Sequence, residues 1–199
     1  AERRSTIVEL RNNGKTVQSI AVSQGVNPEY LPAGYKIFYT STDGKVVEPY
    51  KTEAFGAAIV SNTYANGVGV IVFDRNITTI GYEAFRDCYS LTSVNIPDSV
   101  TSIGEGAFYQ CSNITSITIP DRVTTIEARA FLGCGALESV RLGGVVSIGA
   151  YAFYGCNRLT LLTLPDSTFH SGATSDLQGN FTMEQRLERG NYLLKVSYV

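Results

Sequence analysis

The stretch that decides the fold is "ITTIGYEAFRDCYSLTSVNIPDSV", residues 77–100. It contains one cysteine, Cys88, among apolar and small residues. A thiol with a lowered pKa would indicate redox, catalytic or metal chemistry, whereas a thiol buried as a small apolar group would indicate only architecture. The sequence that follows Cys88 decides between the two.

This stretch recurs along the chain at a nearly fixed interval. The further copies are "VTSIGEGAFYQCSNITSITIPDR" at 100–122, "VTTIEARAFLGCGALESVRLGG" at 123–144 and "VVSIGAYAFYGCNRLTLLTLPDS" at 145–167. Successive cysteines are 23, 23 and 22 residues apart, and an Ala-Phe pair precedes each of them. The recurring residues are Phe85, Phe108, Phe131 and Phe153 with Cys88, Cys111, Cys134 and Cys156. A period of this length is typical of proteins built from stacked structural repeats.

Each copy predicts one short helical or turn segment and two extended segments, of which "VTSI" (100–103) is one example. In "EAFRDCYSL" (83–91) the apolar residues are spaced as on one side of a short helix. In "LTSVNI" (91–96) Val94 and Ile96 alternate with an outward residue, as in a strand. A unit of about 23 residues cannot bury its own apolar face, so the copies must stack on a continuous core. The predicted fold is therefore a solenoid of short parallel strands and short helical or turn segments.

The shared pattern V-x-x-I-G-x-x-A-F-x-x-C-x-x-L-x-x-V-x-I-P resembles the bacterial leucine-rich repeats of the Treponema and BspA type. All four copies carry it across residues 77–167, with two local departures. Glu127 replaces the glycine, and Leu-Gly-Gly at 142–144 replaces Ile-Pro-Asp. The resemblance implies a leucine-rich repeat fold. It also implies a bacterial cell-surface protein, since BspA-like proteins are surface proteins implicated in adhesion.

The flanks of the repeats are expected to act as caps, because terminal units must shield the core from water. We predict a β-hairpin element at 1–34, a β-hairpin N-cap with a half-repeat strand at 35–76, four repeats at 77–167 and a C-terminal capping segment at 168–199. The 35–76 block resembles the segment that precedes such repeats in surface proteins of gut Bacteroides-type bacteria. The alternating tail "GNYLLKVSYV" at 190–199 is expected to close the C-terminal side.

Three Asx-Gly pairs predict hairpin turns in the N-terminal part of the chain, because these residues tolerate positive φ. They are Asn13-Gly14, Asp43-Gly44 and Asn66-Gly67. In addition, residues 70–77 align with residues 93–100 one period later, which predicts a strand-only half-repeat that begins the stack.

The sequence predicts no enzyme. It contains no H-E-x-x-H, G-x-S-x-G or G-x-x-x-x-G-K-[ST] motif, and its single histidine, His170, has no visible triad or metal partners. Asp98, Asp121 and Asp166 recur at one turn position, which is compatible with a calcium ladder or with plain turn formation. Because Gly144 interrupts the ladder, we favour the turn, and we predict no catalytic, metal-binding or cofactor-binding residue.

The cysteines are predicted to be buried free thiols. Zinc sites require close C-x-x-C pairs, which the sequence lacks. Neighbouring turns of a solenoid could approach the Cα separation of about 7 Å that a disulfide allows. Equivalent positions on a packed inner face are better explained as small buried hydrophobes.

The charge distribution argues against nucleic-acid binding. The formal net charge is −2, and no lysine occurs between residues 77 and 167, so no concentrated basic face is expected. The longest apolar runs, such as 68–73, are far shorter than the roughly 18 residues of a membrane span. The first residues contain no signal-peptide core, and we expect that a leader has been removed from an extracellular or cell-surface protein.

The outward positions of the predicted strand strip form the candidate binding face, since repeat proteins commonly bind through such extended surfaces. These positions are Ser93, Asn95, Ser116, Thr118, Ser139, Arg141, Leu161 and Thr163. The alternative is a solvated face without a ligand, because serine and threonine suit strands in any case. Tyr109 and Tyr154 form a rival patch on the turn side, since tyrosine is enriched at interfaces.

Two functions remain in competition. The first is a non-enzymatic interaction module that binds a protein of the host matrix or cell surface, or a glycan, through the exposed face. The second is a spacer or scaffold within a larger surface protein, without a ligand of its own.

Overall fold

The structure is a computed structural model that describes the backbone of residues 5–12, 15–23, 31–163, 173–175, 181–183 and 193–194, and the side chains of residues 31–162. The chain divides into two compact units, Ala1–Pro32 and Ala33–Val199. His170, Asp166 and the side chain of Thr163 lie outside the described parts.

The first unit contains a β-hairpin. Strand β1 (Ser5–Asn12) pairs antiparallel with β2 (Lys15–Ser23). The strands flank Asn13-Gly14, which confirms the hairpin predicted from that pair.

The second unit contains the cap and the repeats. Its cap strands are β3 (Lys36–Ser41), β4 (Ile59–Ala65) and β5 (Val68–Phe73), and short 3-10 turns cover Ala33–Tyr35 and Thr52–Phe55. The repeat strands are β6 (Thr79–Ile80), β7 (Leu91–Val94), β8 (Ser102–Ile103), β9 (Ser116–Thr118), β10 (Thr125–Ile126), β11 (Ser139–Arg141), β12 (Ser147–Ile148) and β13 (Leu161–Thr163). The described C-terminal strands are β14 (Ala173–Ser175), β15 (Phe181–Met183) and β16 (Leu193–Leu194).

The repeats stack through two parallel ladders. One joins β6, β8, β10 and β12, and the other joins β9, β11 and β13. In the first ladder Ile80 pairs with Ile103, and Ile103 with Ile126, so each step equals one period of the sequence. Both extended segments predicted for each copy are confirmed.

Of the two forms predicted for the third segment of each copy, a short helix or turns, the described copies adopt a series of tight turns. Glu83 and Asp87 have φ of 54° and 56°, in the left-handed region that interrupts a helix, and equivalent residues of the later copies also have positive φ. The amides of Glu83 and Phe85 donate to carbonyl oxygens of the next copy, at 2.9 and 2.7 Å. A helix would use those amides internally, so bonding between copies replaces the helix.

The core is a column of phenylalanine rings. Phe85, Phe108, Phe131 and Phe153 stack with centroid separations of 5.4, 5.2 and 5.3 Å and planes within 10° of parallel. The ring of Phe55 closes the N-terminal end, 5.5 Å from Phe85 and nearly perpendicular to it. Regular stacking of this kind requires the aromatic residue at the same position in each copy.

The predicted hairpin at Asp43-Gly44 is wrong. The turn forms, with Gly44 at φ 67°, but residues 46–49 are not a strand. Strand β3 pairs with β5 on one edge and with β7 on the other, so neither edge remains for a following strand. By contrast, the hairpin of β4 and β5 around Asn66-Gly67 is confirmed, with φ of 52° and 82° at its two central residues.

The half-repeat predicted to start the stack has the expected buried residues but a different neighbour. Ile71 and Phe73 of β5 are fully buried, as expected. However, the antiparallel strand β3 lies between β5 and β7, so β5 does not pair with the first repeat. Local alignment of two segments one period apart could not reveal a strand inserted from earlier in the chain.

The two departures from the repeat pattern leave the parallel ladders intact, because Ile126 still pairs with Ile103 and Arg141 with Thr118. The amide of Glu127 donates to the carbonyl of Ile103 at 2.9 Å, as the amide of Gly104 does to Ile80 at 2.7 Å. At the other end of the array, β16 pairs antiparallel with β13. The described part of the tail therefore adds a strand beside β13, while capping by residues 168–199 stays a prediction.

Candidate functional site

The predicted binding face occurs as two parallel rows across the strand ladder. Ser116, Ser139 and Leu161 are register partners in one row, and Thr118, Arg141 and Thr163 in the other. Ser116, Thr118 and Arg141 are exposed, whereas Ser139 and Leu161 are half-buried. The intervening residues of these strands point into the core, so the alternation predicted from the sequence is confirmed.

Ser93 and Asn95, the first two positions of the predicted face, are exposed but hold the cap strand. The hydroxyls of Ser93 and Thr40 are 2.6 Å apart. The amide of Asn95 donates to the carbonyl of Phe38 at 2.9 Å, and its side-chain oxygen accepts a hydrogen bond from the Phe38 amide. These two residues therefore have a structural role that the sequence did not predict.

A groove of about 840 Å³ opens on this face, where β7 and β9 belong to different sheets. Five of the eight predicted positions line it: Ser93, Asn95, Ser116, Thr118 and Arg141. Ser139 and Leu161 do not line it, and the side chain of Thr163 lies outside the described residues.

Residues that the sequence prediction did not include complete the groove. The cap contributes Phe38 and Val68, which are 41% and 42% exposed and give the groove an apolar wall. The turns that follow β7 and β9 contribute Asp98, Asp121 and Arg122. Alternation along β3 marks Phe38 as outward, but only the antiparallel pairing of β3 with β7 brings it beside the repeats.

The charged groups of the groove have no side-chain partners in the part of the chain whose side chains the structure describes. Within residues 31–162, no side-chain hydrogen bond or ion pair engages Asp98, Asp121, Arg122 or Arg141. The other arginines of the repeats are paired with glutamates, in the ion pairs Arg86–Glu83 at 2.5 Å, Arg129–Glu105 at 2.7 Å and Arg158–Glu138 at 2.6 Å. The unpaired charges of the repeats thus include two of each sign in one groove.

The rival tyrosine patch does not form as predicted. Tyr109 is half-buried, with the Arg86 guanidinium 5.2 Å from its ring centroid. Tyr154 is 55% exposed and packs edge-on against Tyr151 at 5.9 Å. The two tyrosines take part in separate clusters, two copies apart in the stack.

The four thiols are buried and hydrogen-bonded, as expected for structural rather than reactive cysteines. All four are free and buried, as predicted. The thiols of Cys111, Cys134 and Cys156 donate to phenylalanine carbonyls of the preceding copy at 2.9, 3.2 and 3.1 Å, and Cys88 donates to Glu48 of the cap at 3.4 Å. Burial raises the pKa of Cys88 to about 12. A thiol with so high a pKa is a poor nucleophile at neutral pH.

In the described residues, no three His, Cys, Asp or Glu side chains lie close enough to hold a metal ion. Nor does the described part of the chain contain a helix that is long and apolar enough to cross a membrane.

Comparison with protein families identifies the repeat. The model of the BspA type leucine-rich repeat region matches residues 59–175, more than half of the chain, and recognises six copies. The match extends beyond the four copies counted in the sequence and includes the β4–β5 hairpin. A comparison with curated proteins finds no match.

Three solved structures share the leucine-rich repeat. A leucine-rich repeat protein of Treponema pallidum is 26% identical and aligns over 45% of this chain and 53% of its own, with a TM-score of 0.38. One from Bacteroides ovatus is 32% identical over 57% of this chain and 34% of its own, also with a TM-score of 0.38. A leucine-rich cell surface protein of Faecalibacterium prausnitzii is 21% identical over 63% and 52%, with a TM-score of 0.25. The matched region therefore spans between about a third and about half of the length of these proteins.

Proposed function

The chain belongs to the BspA type leucine-rich repeat family, and on that premise we propose that it is a non-enzymatic interaction module that binds a partner in the strand-face groove. The proposed setting is outside the bacterial cell or on its surface. The description of the Faecalibacterium relative as a cell surface protein supports this location. In this proposal the stacked repeats form a solenoid that displays the groove.

The unpaired charges of the groove are the main observation that supports the proposal. Arg122 and Arg141 are exposed and have no partner among the side chains of residues 31–162, although three other arginines of the repeats do. Asp98 and Asp121 add unpaired carboxylates to the same groove. Charged groups that are not already held in ion pairs are available to a ligand. They help to orient the bound ligand and raise the rate of its association.

An extended segment of a partner protein fits this groove best. The polar rows run across successive strands, and Phe38 and Val68 offer an apolar wall beside charges of both signs. A peptide supplies apolar side chains together with acidic and basic groups, which matches all three features. A glycan would use the hydroxyls and charges but would leave the apolar wall largely unused.

A binding screen tests the proposal. Immobilised host matrix proteins, host cells and a glycan array would be probed with the wild-type chain and with an Arg122→Ala/Arg141→Ala variant. We expect at least one matrix or cell-surface protein to bind, and the double variant to bind about tenfold more weakly or worse. The matched control is Arg129→Ala/Arg158→Ala, which also removes two arginines, both outside the groove. Equal binding by the wild type and the double variant would contradict the assignment of the groove.

The scaffold function also has structural support. Ser93 and Asn95 bond to the cap strand, so this end of the face contributes to holding the cap. If the chain binds nothing in the screen, the scaffold function is favoured over the interaction module.

A further inference from the structure

A second surface with distinct chemistry lies on the turn side of the first repeats and the adjoining cap loop. Tyr50, Tyr82 and Tyr89 are 56%, 52% and 55% exposed there. One exposed aromatic side chain is uninformative by itself, but several that belong to one surface form a patch of the kind that marks interaction sites. None of these tyrosines lines the strand-face groove.

Arg86 fixes the centre of this surface. Its guanidinium lies 5.4 Å from the ring centroid of Tyr50 and 5.2 Å from that of Tyr109. The same group bonds to Glu83 at 2.5 Å and to Asp87 at 3.2 Å. The guanidinium is therefore held by two rings and two carboxylates.

The remaining rings are tied into the same network. The Lys51 ammonium lies 4.6 Å from the ring centroid of Tyr82 and 3.8 Å from a carboxylate oxygen of Glu83. The hydroxyl of Tyr89 donates to Asp87 at 3.0 Å. We name the connected set of Tyr50, Lys51, Tyr82, Glu83, Arg86, Asp87, Tyr89 and Tyr109 the tyrosine platform. Because its side chains are already positioned, a ligand loses little of its binding energy in ordering them.

We propose that the tyrosine platform binds a neutral oligosaccharide. Sugar rings present apolar C–H faces that pack on aromatic faces, while their hydroxyls both donate and accept hydrogen bonds. The platform offers exposed rings interleaved with donors on Lys51 and Arg86 and acceptors on Glu83 and Asp87. Its two positive and two negative groups cancel, so it does not select a charged ligand.

The composition of the platform favours a sugar over a protein partner. The exposed large apolar residues of the platform are all tyrosines, and the exposed valines of residues 31–162, at positions 46, 60, 68 and 146, are not part of its network of contacts. The core of a protein interface is normally depleted in charged residues. In the platform the rings lie among Lys51, Arg86, Glu83 and Asp87, which are already paired with one another. Such a mixture of rings and paired charges suits a ligand rich in hydroxyl groups.

Affinity gel electrophoresis tests the proposal with defined probes. The wild-type chain would be run through gels that contain a mixed-linkage β-glucan, a galactomannan or an arabinan, with polygalacturonate as the acidic comparison. We expect at least one neutral polysaccharide to retard the wild-type chain. A Tyr82→Ala/Tyr89→Ala variant should bind about tenfold more weakly, because two stacking surfaces are lost.

Two further variants separate stacking from other effects. Tyr82→Phe/Tyr89→Phe keeps the rings and should bind within about threefold of the wild type. Tyr154→Ala removes an equally exposed tyrosine outside the platform and should bind as the wild type does. The proposal is overturned if no neutral polysaccharide binds, if only polygalacturonate binds, or if Tyr154→Ala weakens binding as much as the double alanine variant. Loss of binding to a matrix protein in the double alanine variant, without any polysaccharide binding, would assign the platform to a protein partner instead.

Discussion

At the scale of single residues, the cysteines show how one side chain serves the stack. Each thiol occupies a fully packed inner position, and its S–H donates to a carbonyl of the preceding unit. The first thiol has no preceding repeat, and the cap supplies the carbonyl of Glu48 in its place. Alanine would lose the bond and leave a void, while a larger residue would push neighbouring copies apart.

The buried thiols predict a loss of stability in alkali. Burial raises the folded-state pKa of Cys88 from 9.0 to about 12, so the neutral thiol is the form that the fold stabilises. This contribution is fully present below pH 9 and is lost as the pH rises from 9 towards 12. Between pH 8 and pH 10 the free energy of unfolding should fall by about 1 kcal/mol more in the wild type than in Cys88→Ala. Urea unfolding at the two pH values measures this difference, and an equal fall in both proteins would show that Cys88 ionises as readily when folded.

At the scale of elements, backbone contact between copies replaces regular helices. Alternate amides of the turn segment bond to the next copy, which brings the backbones of neighbouring copies close together. A Cβ atom added to Gly104 would lie 2.7 Å from the carbonyl carbon of Gly81. Glycine at this position thus permits the close approach of adjacent copies.

Substitution of glycine by alanine should be destabilising at one position and nearly neutral at another. Gly104→Ala should lower the free energy of unfolding by about 1–3 kcal/mol, because the new methyl group meets backbone that cannot move aside without separating the copies. Gly135→Ala is the matched control, since an added Cβ there has no heavy atom within 4 Å. It should change stability by less than about 0.5 kcal/mol. Chemical unfolding of both variants measures the contrast, and similar stabilities would argue against tight packing of the copies at Gly104.

The elements also show which features were predictable. Inward residues such as Phe108 and Ile117 follow from a pattern that each copy repeats. The choice between turns and a short helix did not follow, because successive tight turns and a short helix share nearly the same spacing of apolar residues. Turns differ from a helix in the left-handed φ of residues such as Glu83 and Asp87. Glutamate and aspartate do not require that conformation, so the sequence does not signal it.

The candidate groove was predicted only where it depends on the repeats. Ser116, Thr118 and Arg141 follow from strand alternation, and the structure places all three in the groove. Phe38 and Val68 were missed because they reach the groove through pairing of strands far apart in the chain, such as Tyr39 with Val94. No local pattern contains that pairing.

At the scale of the whole molecule, the cap and the array of repeats together present two surfaces that differ in whether their charged groups are paired. The strand-face groove contains unpaired charges beside an apolar wall. The tyrosine platform contains paired charges between exposed rings. No residue lines both surfaces, so substitutions in one leave the other unchanged, and the two binding proposals succeed or fail independently.

The most direct test of the groove is covalent labelling of its carboxylates. The chain would be treated with a carbodiimide and glycinamide, alone and with the matrix protein that binds best in the screen, and modified peptides would be quantified by mass spectrometry. Asp98 and Asp121 lie in the groove, and Glu53 is an exposed carboxylate outside it. If the groove holds the partner, labelling of Asp98 and Asp121 falls in the complex while labelling of Glu53 is unchanged. Unchanged labelling of both aspartates in a saturated complex would contradict the assignment of the strand-face groove as the binding site.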